Sequence, residues 1–362
     1  MPEALKHIYS TSFVSRLSRA LKKHYPAFNS RQFSRSVFCD EWQDKELKDR
    51  MRHIAKCMGE HLPSSYKKSL SILKPVSTQF TDLEAMIFPD FVEVFGLDDL
   101  DASLPALEHF TQFSSSEFAV RPFIIRYQTK MMRQMKAWAK SDNHHVRRLA
   151  SEGCRPRLPW AMSLPEFKQD PKHVIPILEL LKQDESEYVR RSVANNLNDI
   201  SKDHPTTVIK IAKLWSSRHA DTDKLIKHAC RTLLKQGHTP ALRLFGFKKP
   251  SHISISKFKL DKTVSMGKAL EFTFQISTTA KTPTSSLGKL RLEYAIDFFK
   301  ANGQLSRKVF MISESQLSAP TKEVCKRHSF KAISTRKYYA GKHGLAIIIN
   351  GVEISHKSFT LK

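Results

Sequence analysis

The chain has 362 residues, and its 60 lysines and arginines outnumber its 35 aspartates and glutamates to give a net charge of +25. With 40% hydrophobic residues and only 11 glycines, the composition excludes a disordered or collagen-like protein and allows two or three folded domains. Such an excess of positive charge favours a polyanionic partner, because each neutralised phosphate releases counterions and adds affinity. A basic surface also serves solubility, so charge alone leaves the partner open.

The cysteines and the apolar segments limit the compartment and the cofactors. None of the five cysteines forms a C-x-x-C pair, which indicates neither a zinc site nor a disulfide framework and fits a reducing compartment. The start, MPEALKHIYS, lacks the apolar core of a signal peptide, and the longest aliphatic run, LAIII, is too short to span a bilayer. The paired histidines at 144–145 lack partner ligands at a suitable spacing. We therefore expect a cytoplasmic protein with no metal, no cofactor and no membrane contact.

The first part of the chain predicts helices with basic and aromatic residues. Within it, SSSEFAVRPFIIRY (114–127) places Glu117 ahead of Phe118 and Arg121. Its serines can cap a helix and Glu117 can be a favourable acid of the first turn, so an ordinary helix start also explains the segment. Trp138 follows on an apolar helical stripe, which favours packing in the core over a functional role.

The next segment, DNHHVRRLASEGCRPRLPWA (142–161), places a carboxylate among arginines. Arg148 and Glu152 are four residues apart on a predicted helix and share a face. A glycine and two prolines then end the helix and lead to Trp160. An acid repels the phosphates that the surrounding arginines attract, which makes it costly in a groove that only holds DNA. The structural alternative is that Glu152 merely pairs with Arg148 or orients Arg155.

The same segment opens a weak internal repeat. Copies aligned on Val146, Val189 and Ile226 are spaced by 43 and 37 residues, the range of HEAT or armadillo helix pairs. Such units stack and leave a concave face, and arginines at the starts of successive helices can follow a DNA backbone there. Glu152 aligns with Asn195, so the repeat itself does not require a carboxylate at that position.

Helical periodicity continues to about residue 245 and is then replaced by alternation. The segments VIPILELLK (174–182), TTVIKIAKLW (206–215) and LIKHACRTLLKQG (225–237) predict helices, the last one ending at Gly237. After the joint FGFKKPSH, alternating apolar residues predict about seven short strands, among them HISISKFKL, ALEFTFQIS and KLRLEYAIDFF. Residues 251–362 hold 19 basic and 7 acidic residues, a net of +12, which leaves +13 for the rest.

Cleavage of an N-glycosidic bond is the chemistry that best fits carboxylates, a tryptophan and arginines against DNA. Its transition state resembles an oxocarbenium ion, so a carboxylate beside the deoxyribose stabilises the developing charge and can position a water. A tryptophan offers a π face to a cationic base or to the sugar cation, and arginines hold the flanking phosphates. A cationic leaving base makes the bond weak, so neither a metal nor a covalent nucleophile is needed.

At these residues the sequence resembles the AlkC family of alkylpurine DNA glycosylases, relatives of the AlkD family, over roughly residues 1–245. The resemblance rests on SEFAVRPFI (116–124), HVRRLASEGCRPRLPWA (145–161) and YVRRSVANNLNDISKDHP (188–205). It implies a HEAT-like solenoid that cradles duplex DNA and excises cationic N3-alkylated bases, namely 3-methyladenine and, in AlkC, also 3-methylcytosine. Some AlkC-like proteins carry a C-terminal immunoglobulin-like domain. The predicted fold is therefore mostly α, a HEAT-like α-solenoid in residues 1–248 followed by a small all-β immunoglobulin-like sandwich in 251–362.

The resemblance also implies roles for individual residues. Glu152 is the expected acid at the lesion deoxyribose, Glu117 a second active-site acid and Trp160 the aromatic side chain packed beside the lesion. Phe118 and Trp138 are further candidates for contact with the lesion. Arg148 and Arg155 are the expected clamps on the DNA backbone. Beside what the resemblance implies, the further candidate DNA-binding residues are Arg121, Arg147, Arg157, Arg190 and Arg191. We expect a monofunctional DNA-3-methyladenine glycosylase that acts on double-stranded DNA as a monomer, associated with the nucleoid of a bacterial-type cytoplasm.

Two other functions stay open at this point. One is a non-catalytic nucleic-acid-binding HEAT-repeat scaffold, and the other is a protein-interaction solenoid with an adhesive β domain. Glu152 together with Trp160 distinguishes the glycosylase from the scaffold, because a phosphate binder gains nothing from an acid in its groove. The net charge distinguishes both from the protein-interaction solenoid.

Overall fold

The structure is a computed structural model that describes residues 5–278, 288–333 and 336–362. Contacts within the chain define two compact units. The first comprises Met1–His204 and Trp215–Ala229, and the second comprises Pro205–Leu214 and Cys230–Lys362. The last helix ends at Leu244 and the first strand begins at Ile253. The predicted domain boundary near residue 250 falls between these two elements and stays a prediction.

Helices make up the first unit and the beginning of the second. Short 3₁₀ helices occupy Leu5–Ile8, Asp40–Asp44, Asp82–Met86 and Pro171–His173. The α-helices are α1 Thr11–His24, α2 Ser30–Val37, α3 Leu47–His61, α4 Tyr66–Ser77, α5 Ile87–Phe95, α6 Leu100–Phe110, α7 Val120–Arg126, α8 Gln128–Trp138, α9 His144–Glu152, α10 Pro165–Gln169, α11 Ile175–Leu181, α12 Glu187–Ile200, α13 Pro205–Trp215, α14 Ala220–Ala229, α15 Arg231–Lys235 and α16 Thr239–Leu244.

The predicted repeat is confirmed by three neighbouring helices of the first unit. Helix α9 packs against α12, and α12 packs against α14. The three aligned residues Val146, Val189 and Ile226 lie on these helices and are all buried. Helices α8 and α11 pack against each other and against α9, so they form a second layer. This pairing of layers is the HEAT-like arrangement, in which each helix pair buries its apolar face against the next pair.

The structure corrects two predictions about individual helices and confirms a third. The segment 225–237 is not one helix but two, α14 and α15, which are separated at Cys230. Gly153 follows α9 with an ordinary right-handed φ of −62°, so it does not end the helix by a left-handed turn. A Cβ atom at Gly153 would instead lie 2.7 Å from Val120 Cγ2, so the glycine allows α7 to approach the end of α9 closely. The predicted stop at Gly237 is confirmed, since its φ is +69°.

The β part of the second unit contains two sheets, as expected for an immunoglobulin-like fold. The strands are β1 Ile253–Leu260, β2 Thr263–Val264, β3 Ala269–Thr278, β4 Leu290–Phe299, β5 Leu305–Ser315, β6 Thr321–Ser329, β7 Gly341–Ile349 and β8 Val352–Leu361. One sheet has the order β1-β3-β6 and the other β2-β8-β7-β4-β5, and among the described residues only the β2–β8 pair is parallel. Apolar side chains from both sheets form one core.

Strand β4 of the larger sheet is buried on both of its faces. Strand β4 reads as an alternating strand, yet every residue from Leu290 to Phe298 is buried. The turn between β7 and β8 shows what lies beside this sheet. Gly351 has a φ of +76°, and a Cβ atom there would lie 2.6 Å from the Cα of Gly237 at the end of α15. The glycine pair therefore allows close packing between the helical and β parts of this unit.

Candidate active site

Glu152 is a buried carboxylate at the last residue of α9. Its side chain is only 6% exposed, and both of its oxygens accept hydrogen bonds. Arg155 Nη1 donates to Oε1 at 2.6 Å, and Ser192 Oγ donates to Oε2 at 2.5 Å. Arg148 Nη2 lies 3.5 Å from Oε1, one helical turn earlier on the same face. A buried carboxylate is tolerated only when it is paired and hydrogen-bonded, and these three neighbours satisfy that condition.

Glu117 lies in the turn before α7 and faces the same arginine. Arg148 Nη1 donates to Glu117 Oε2, and Ser115 Oγ donates to the same oxygen at 2.7 Å. The two predicted acids are thus joined by one guanidinium. Burial opposes the charge on Arg148, but Glu117 and Glu152 outweigh it and raise the pKa of its guanidinium. Ser115 therefore binds the acid and the arginine instead of capping a helix.

The line of alternating charges continues into the interior through Arg155. Its Nε donates to Asp199 Oδ2 at 2.9 Å, while its Nη1 holds Glu152. Burial opposes the charge on Arg155, and Glu152 and Asp199 outweigh that effect and raise its pKa. Lys202 Nζ lies 3.2 Å from Asp199 Oδ1 at the far end. Each guanidinium in this line lies between two carboxylates, Arg148 between Glu117 and Glu152 and Arg155 between Glu152 and Asp199.

Helix α12 supplies the side chains of this array that sequence reasoning missed. Tyr188, Ser192 and Asp199 are four and seven residues apart, spacings that place them on one face of α12, towards α9. Tyr188 is 44% exposed, and the Arg148 guanidinium carbon lies 4.9 Å from its ring centre. All three residues lie within the segment 188–205 on which the family resemblance rests. That segment was their only signal in the sequence.

Trp160 is an exposed aromatic residue in an unusual backbone conformation. It is 65% exposed, and its φ is +63°, a left-handed value that a bulky residue rarely adopts. The buried Arg121 holds the loop around Trp160, because its Nη1 donates to the carbonyls of Gly153 and Arg155 at 3.0 and 2.9 Å. Arg121 Nε donates to the Met162 carbonyl at 2.6 Å. These bonds hold the loop backbone on both sides of Trp160.

A lysine from an early helix contacts this loop. Lys48, in the first turn of α3, donates from Nζ to the carbonyl of Trp160 at 2.6 Å. The same Nζ lies 5.1 Å from the ring centre of Phe118, which is half-buried. The sequence contains no local signal for this lysine, because 112 residues separate it from Trp160.

Known proteins resemble this chain over nearly its whole length. The glycosylase AlkC from Pseudomonas fluorescens, solved bound to DNA containing an abasic-site analogue, is 33% identical with a TM-score of 0.93. The match covers 99% of this chain and 100% of that one. An uncharacterised protein of Bacillus subtilis strain 168, YhaZ, is 47% identical over 96% of both chains. The family described as "DNA alkylation repair enzyme" matches residues 108–235, and the family described as the C-terminal immunoglobulin-like domain of YhaZ matches residues 254–362.

The chain belongs to the AlkC-type DNA alkylation repair family. The predicted resemblance and the predicted fold class, a HEAT-like solenoid followed by an immunoglobulin-like domain, are both confirmed. The "DNA alkylation repair enzyme" match spans every member of the charge array, from Glu117 in the turn before α7 to Lys202 just after α12. The candidate active site of this AlkC-type chain therefore lies within the part of the chain that carries the repair-enzyme signature.

Three predicted contact residues are placed inside this AlkC-type fold instead of on its surface. Arg121 is completely buried, and burial lowers its pKa to about 10, so it supports the Trp160 loop and has no surface to offer DNA. Arg147 is 9% exposed and donates to both carboxylate oxygens of Asp184. Trp138 is 2% exposed and donates from Nε1 to Glu108, so it belongs to the core and is not a lesion contact.

Of the other predicted DNA-binding arginines, Arg148 and Arg155 belong to the charge array, and Arg155 is buried against Glu152 and Asp199 instead of facing DNA. The remaining three lie nearer the surface. Arg157 Nη2 lies 2.5 Å from Asp203, and its side chain is 30% exposed. Arg190 Nη2 lies 3.2 Å from Asp221 on α14. Arg191 is exposed and, with Arg190, lines a cavity of about 380 Å³ whose wall also contains Lys224. Arg191 is the one of these three for which no ion pair appears among the described residues.

None of the helices in ranges 5–278, 288–333 and 336–362 combines the length and apolar character needed to cross a membrane. In the same ranges, no group of three or more histidine, cysteine, aspartate or glutamate side chains is arranged to hold a metal ion.

Proposed function

We propose that the protein is a monofunctional DNA-3-methyladenine glycosylase. It hydrolyses the N-glycosidic bond of cationic N3-alkylated bases in duplex DNA and leaves an abasic site, with 3-methylcytosine as a second candidate substrate. The observation that carries the proposal is the arrangement of Glu117 and Glu152 on one guanidinium within the repair-enzyme region. The exposed Trp160 follows Glu152 on a loop anchored to the same helix end.

The chemistry needs only the charges that this array provides. The C1′–N bond breaks, its electron pair neutralises the cationic base, and positive charge develops on the deoxyribose. A carboxylate beside the sugar stabilises that charge and orients a water. The water oxygen then bonds to C1′, and its proton passes to a carboxylate or to solvent. Because Arg148 and Arg155 hold the two acids by hydrogen bonds and ion pairs, the carboxylates are positioned before substrate binds.

A similar solved structure and the net charge support DNA as the partner and an abasic site as the product. The similar AlkC structure contains DNA with an abasic-site analogue, which is the expected product of base release. The net charge of +25 supports binding to the DNA backbone without sequence preference. Of the seven arginines that the sequence suggested for DNA binding, we propose Arg157, Arg190 and Arg191 as contacts to the DNA backbone. We propose that the protein acts as a monomer on chromosomal DNA in the cytoplasm.

Base release from methylated duplex DNA tests the function directly. We expect the wild type to release 3-methyladenine under single-turnover conditions. Glu152→Gln and Glu117→Gln should each lower the rate by roughly 100-fold or more while DNA binding is retained. Glu185→Gln is a matched control, because Glu185 also pairs with an arginine, Arg147, but its side chain is 86% exposed. Release at background level by the wild type would reject the glycosylase and favour the non-catalytic DNA-binding scaffold.

The monofunctional mechanism has a separate readout. We expect the abasic strand to stay intact until alkali is added, and borohydride to trap no protein–DNA adduct. A trapped adduct would mean that a lysine forms a Schiff base with the opened sugar. Lys48→Met would then show whether the lysine beside Trp160 is the nucleophile.

A further inference from the structure

We propose that Lys48 is a positioning residue that fixes the Trp160 loop and the Phe118 turn relative to each other. The consequence for base excision rests on the proposed function, but the positioning itself does not. Lys48 Nζ donates to the Trp160 carbonyl at 2.6 Å and lies 5.1 Å from the Phe118 ring centre. One ammonium group thereby contacts both the backbone of the loop that follows Glu152 and the ring of the residue that follows Glu117.

The exposure of Trp160 makes its backbone anchors important. With 65% of the residue exposed, its indole has few packing contacts that could hold it in one place. Its φ of +63° is unfavourable for a bulky residue, so the conformation persists only if neighbouring groups enforce it. Arg121 holds the loop at Gly153, Arg155 and Met162, but the carbonyl of Trp160 itself is held by Lys48. A charge-assisted bond of this length is among the stronger hydrogen bonds of a protein.

Lys48 also reaches the segment that carries the second acid. Phe118 directly follows Glu117, and an ammonium near an aromatic ring is attracted by its π face. Arg148 fixes Glu117 from the side of α9, so Lys48 and Arg148 hold the two ends of the same dipeptide. The position of Lys48 therefore affects how far Phe118 and Trp160 lie from the two acids, Glu117 and Glu152.

The helix that carries Lys48 has a rigid support. Arg52 lies one turn further on α3, on the same face, and its Nη2 lies 2.8 Å from Asp90 and 2.5 Å from Glu93 on α5. Asp90 is 2% exposed, and Lys48 is one of the cations that act on it. Helices α3 and α5 pack along each other. A side chain that orients a site works best from such a fixed element.

Fluorine NMR of protein labelled with 5-fluorotryptophan tests the positioning without reference to activity. Three of the four tryptophans are buried, so the Trp160 signal, assigned with Trp160→Phe, reports on the loop alone. In Lys48→Met we expect this signal to sharpen and move towards that of free 5-fluorotryptophan, while the other three stay unchanged. Lys48→Arg should keep the wild-type signal. Lys56→Met, at an exposed lysine about two turns further on α3, is the matched control and should change none of the signals.

Single-turnover base release by the same variants tests whether the position of Lys48 affects the reaction rate. For Lys48→Met we expect a roughly 10-fold lower rate with DNA affinity changed less than about three-fold, because misplacing a reacting group lowers the rate more than binding. Lys48→Arg should recover most of the rate. A Trp160 signal that is identical in Lys48→Met and wild type would overturn the positioning role. If the wild type releases no base, the proposed function fails, and the NMR result alone decides the role of Lys48.

Discussion

The two units of the chain both bury charged side chains, but they do so in different surroundings. In the β part, Arg291 lies against Glu293 and Glu314, with side-chain exposures of 4%, 0% and 19%. In the helical unit, Glu152 and Arg155 are buried to a similar degree, yet Arg148 of the same array lies 4.9 Å from the ring centre of the exposed Tyr188. Among described residues, the exposed large hydrophobic residues of the β part are aliphatic. A buried ion pair therefore indicates a candidate site only when it adjoins accessible aromatic surface.

The largest expected effect compares one carboxylate from each array. Glu152→Gln should lower base release by about 100- to 1000-fold, because it removes a charge aimed at the developing sugar cation. Glu293→Gln should leave the rate constant of the folded protein unchanged, although it disturbs an equally buried pair. The measurement is single-turnover base release, with urea unfolding to confirm that each variant is folded. Equal losses in the two variants would show that buried charge acts here through stability alone.

The second comparison concerns two tryptophans of the helical unit. Trp138→Ala should lower the free energy of unfolding by about 3–5 kcal/mol, because it empties a site that is 2% exposed. Trp160→Ala should change the free energy of unfolding by less than about 1 kcal/mol, since the residue is 65% exposed, but should slow base release at least 10-fold. Urea unfolding and base release are measured on both variants. A stable and fully active Trp160→Ala would remove Trp160 from the proposed site.

The pH dependence of stability should have opposite signs in the two units. Burial, together with Glu93 and only partly offset by Arg52, raises the pKa of Asp90 to about 6. Its folded form holds the proton more tightly than the unfolded chain, so this contribution to stability is present near pH 4 and is lost as the pH rises to 6. Burial, together with Arg336 and Lys308, lowers the pKa of His328 to about 4. Its contribution is present above about pH 6.5 and is lost as the pH falls to 4.

Each titration should change the free energy of unfolding by about 2–3 kcal/mol across its range. The measurement is urea unfolding between pH 4 and 7 for the wild type, Asp90→Asn and His328→Gln. The free energy of Asp90→Asn minus that of the wild type should rise from pH 4 to 6. The corresponding difference for His328→Gln should fall as the pH rises from 4 to 6.5. Parallel pH profiles for all three proteins would contradict both assignments.

The smallest expected effect concerns a single surface arginine. Arg191→Gln should weaken DNA binding a few-fold and make the slope of log affinity against log salt shallower by about 0.9, as expected for one lost phosphate contact. Lys357→Gln makes the matching test in the β part, where Lys357 is exposed on β8. Salt titrations of DNA affinity measure both. A slope change for Lys357→Gln alone would shift the proposed DNA surface to the β part.

Much of the fold and part of the candidate site were predictable from local patterns. The 43- and 37-residue spacings identified the stacked helices α9, α12 and α14, and the alternating segments identified strands β1, β3 and β4. The spacing of four between Arg148 and Glu152 correctly placed the two on one face. The errors arose where a surface role was assigned to a residue that is buried, as with Arg121, Arg147 and Arg155. Helical spacing shows which residues share a face but not which face meets another helix.

By itself, the sequence determined the family, the order of a helical and a β region, the basic charge and the acids at positions 117 and 152. These depend on composition and on patterns within a few turns of chain. Only the tertiary structure decided that Arg148 joins the two acids, that Asp199 balances Arg155 from α12, and that Lys48 reaches Trp160. Those contacts cross 31, 44 and 112 positions of the chain. Long-range contacts of this kind arise from the packing of the helices, which no local pattern in the sequence encodes.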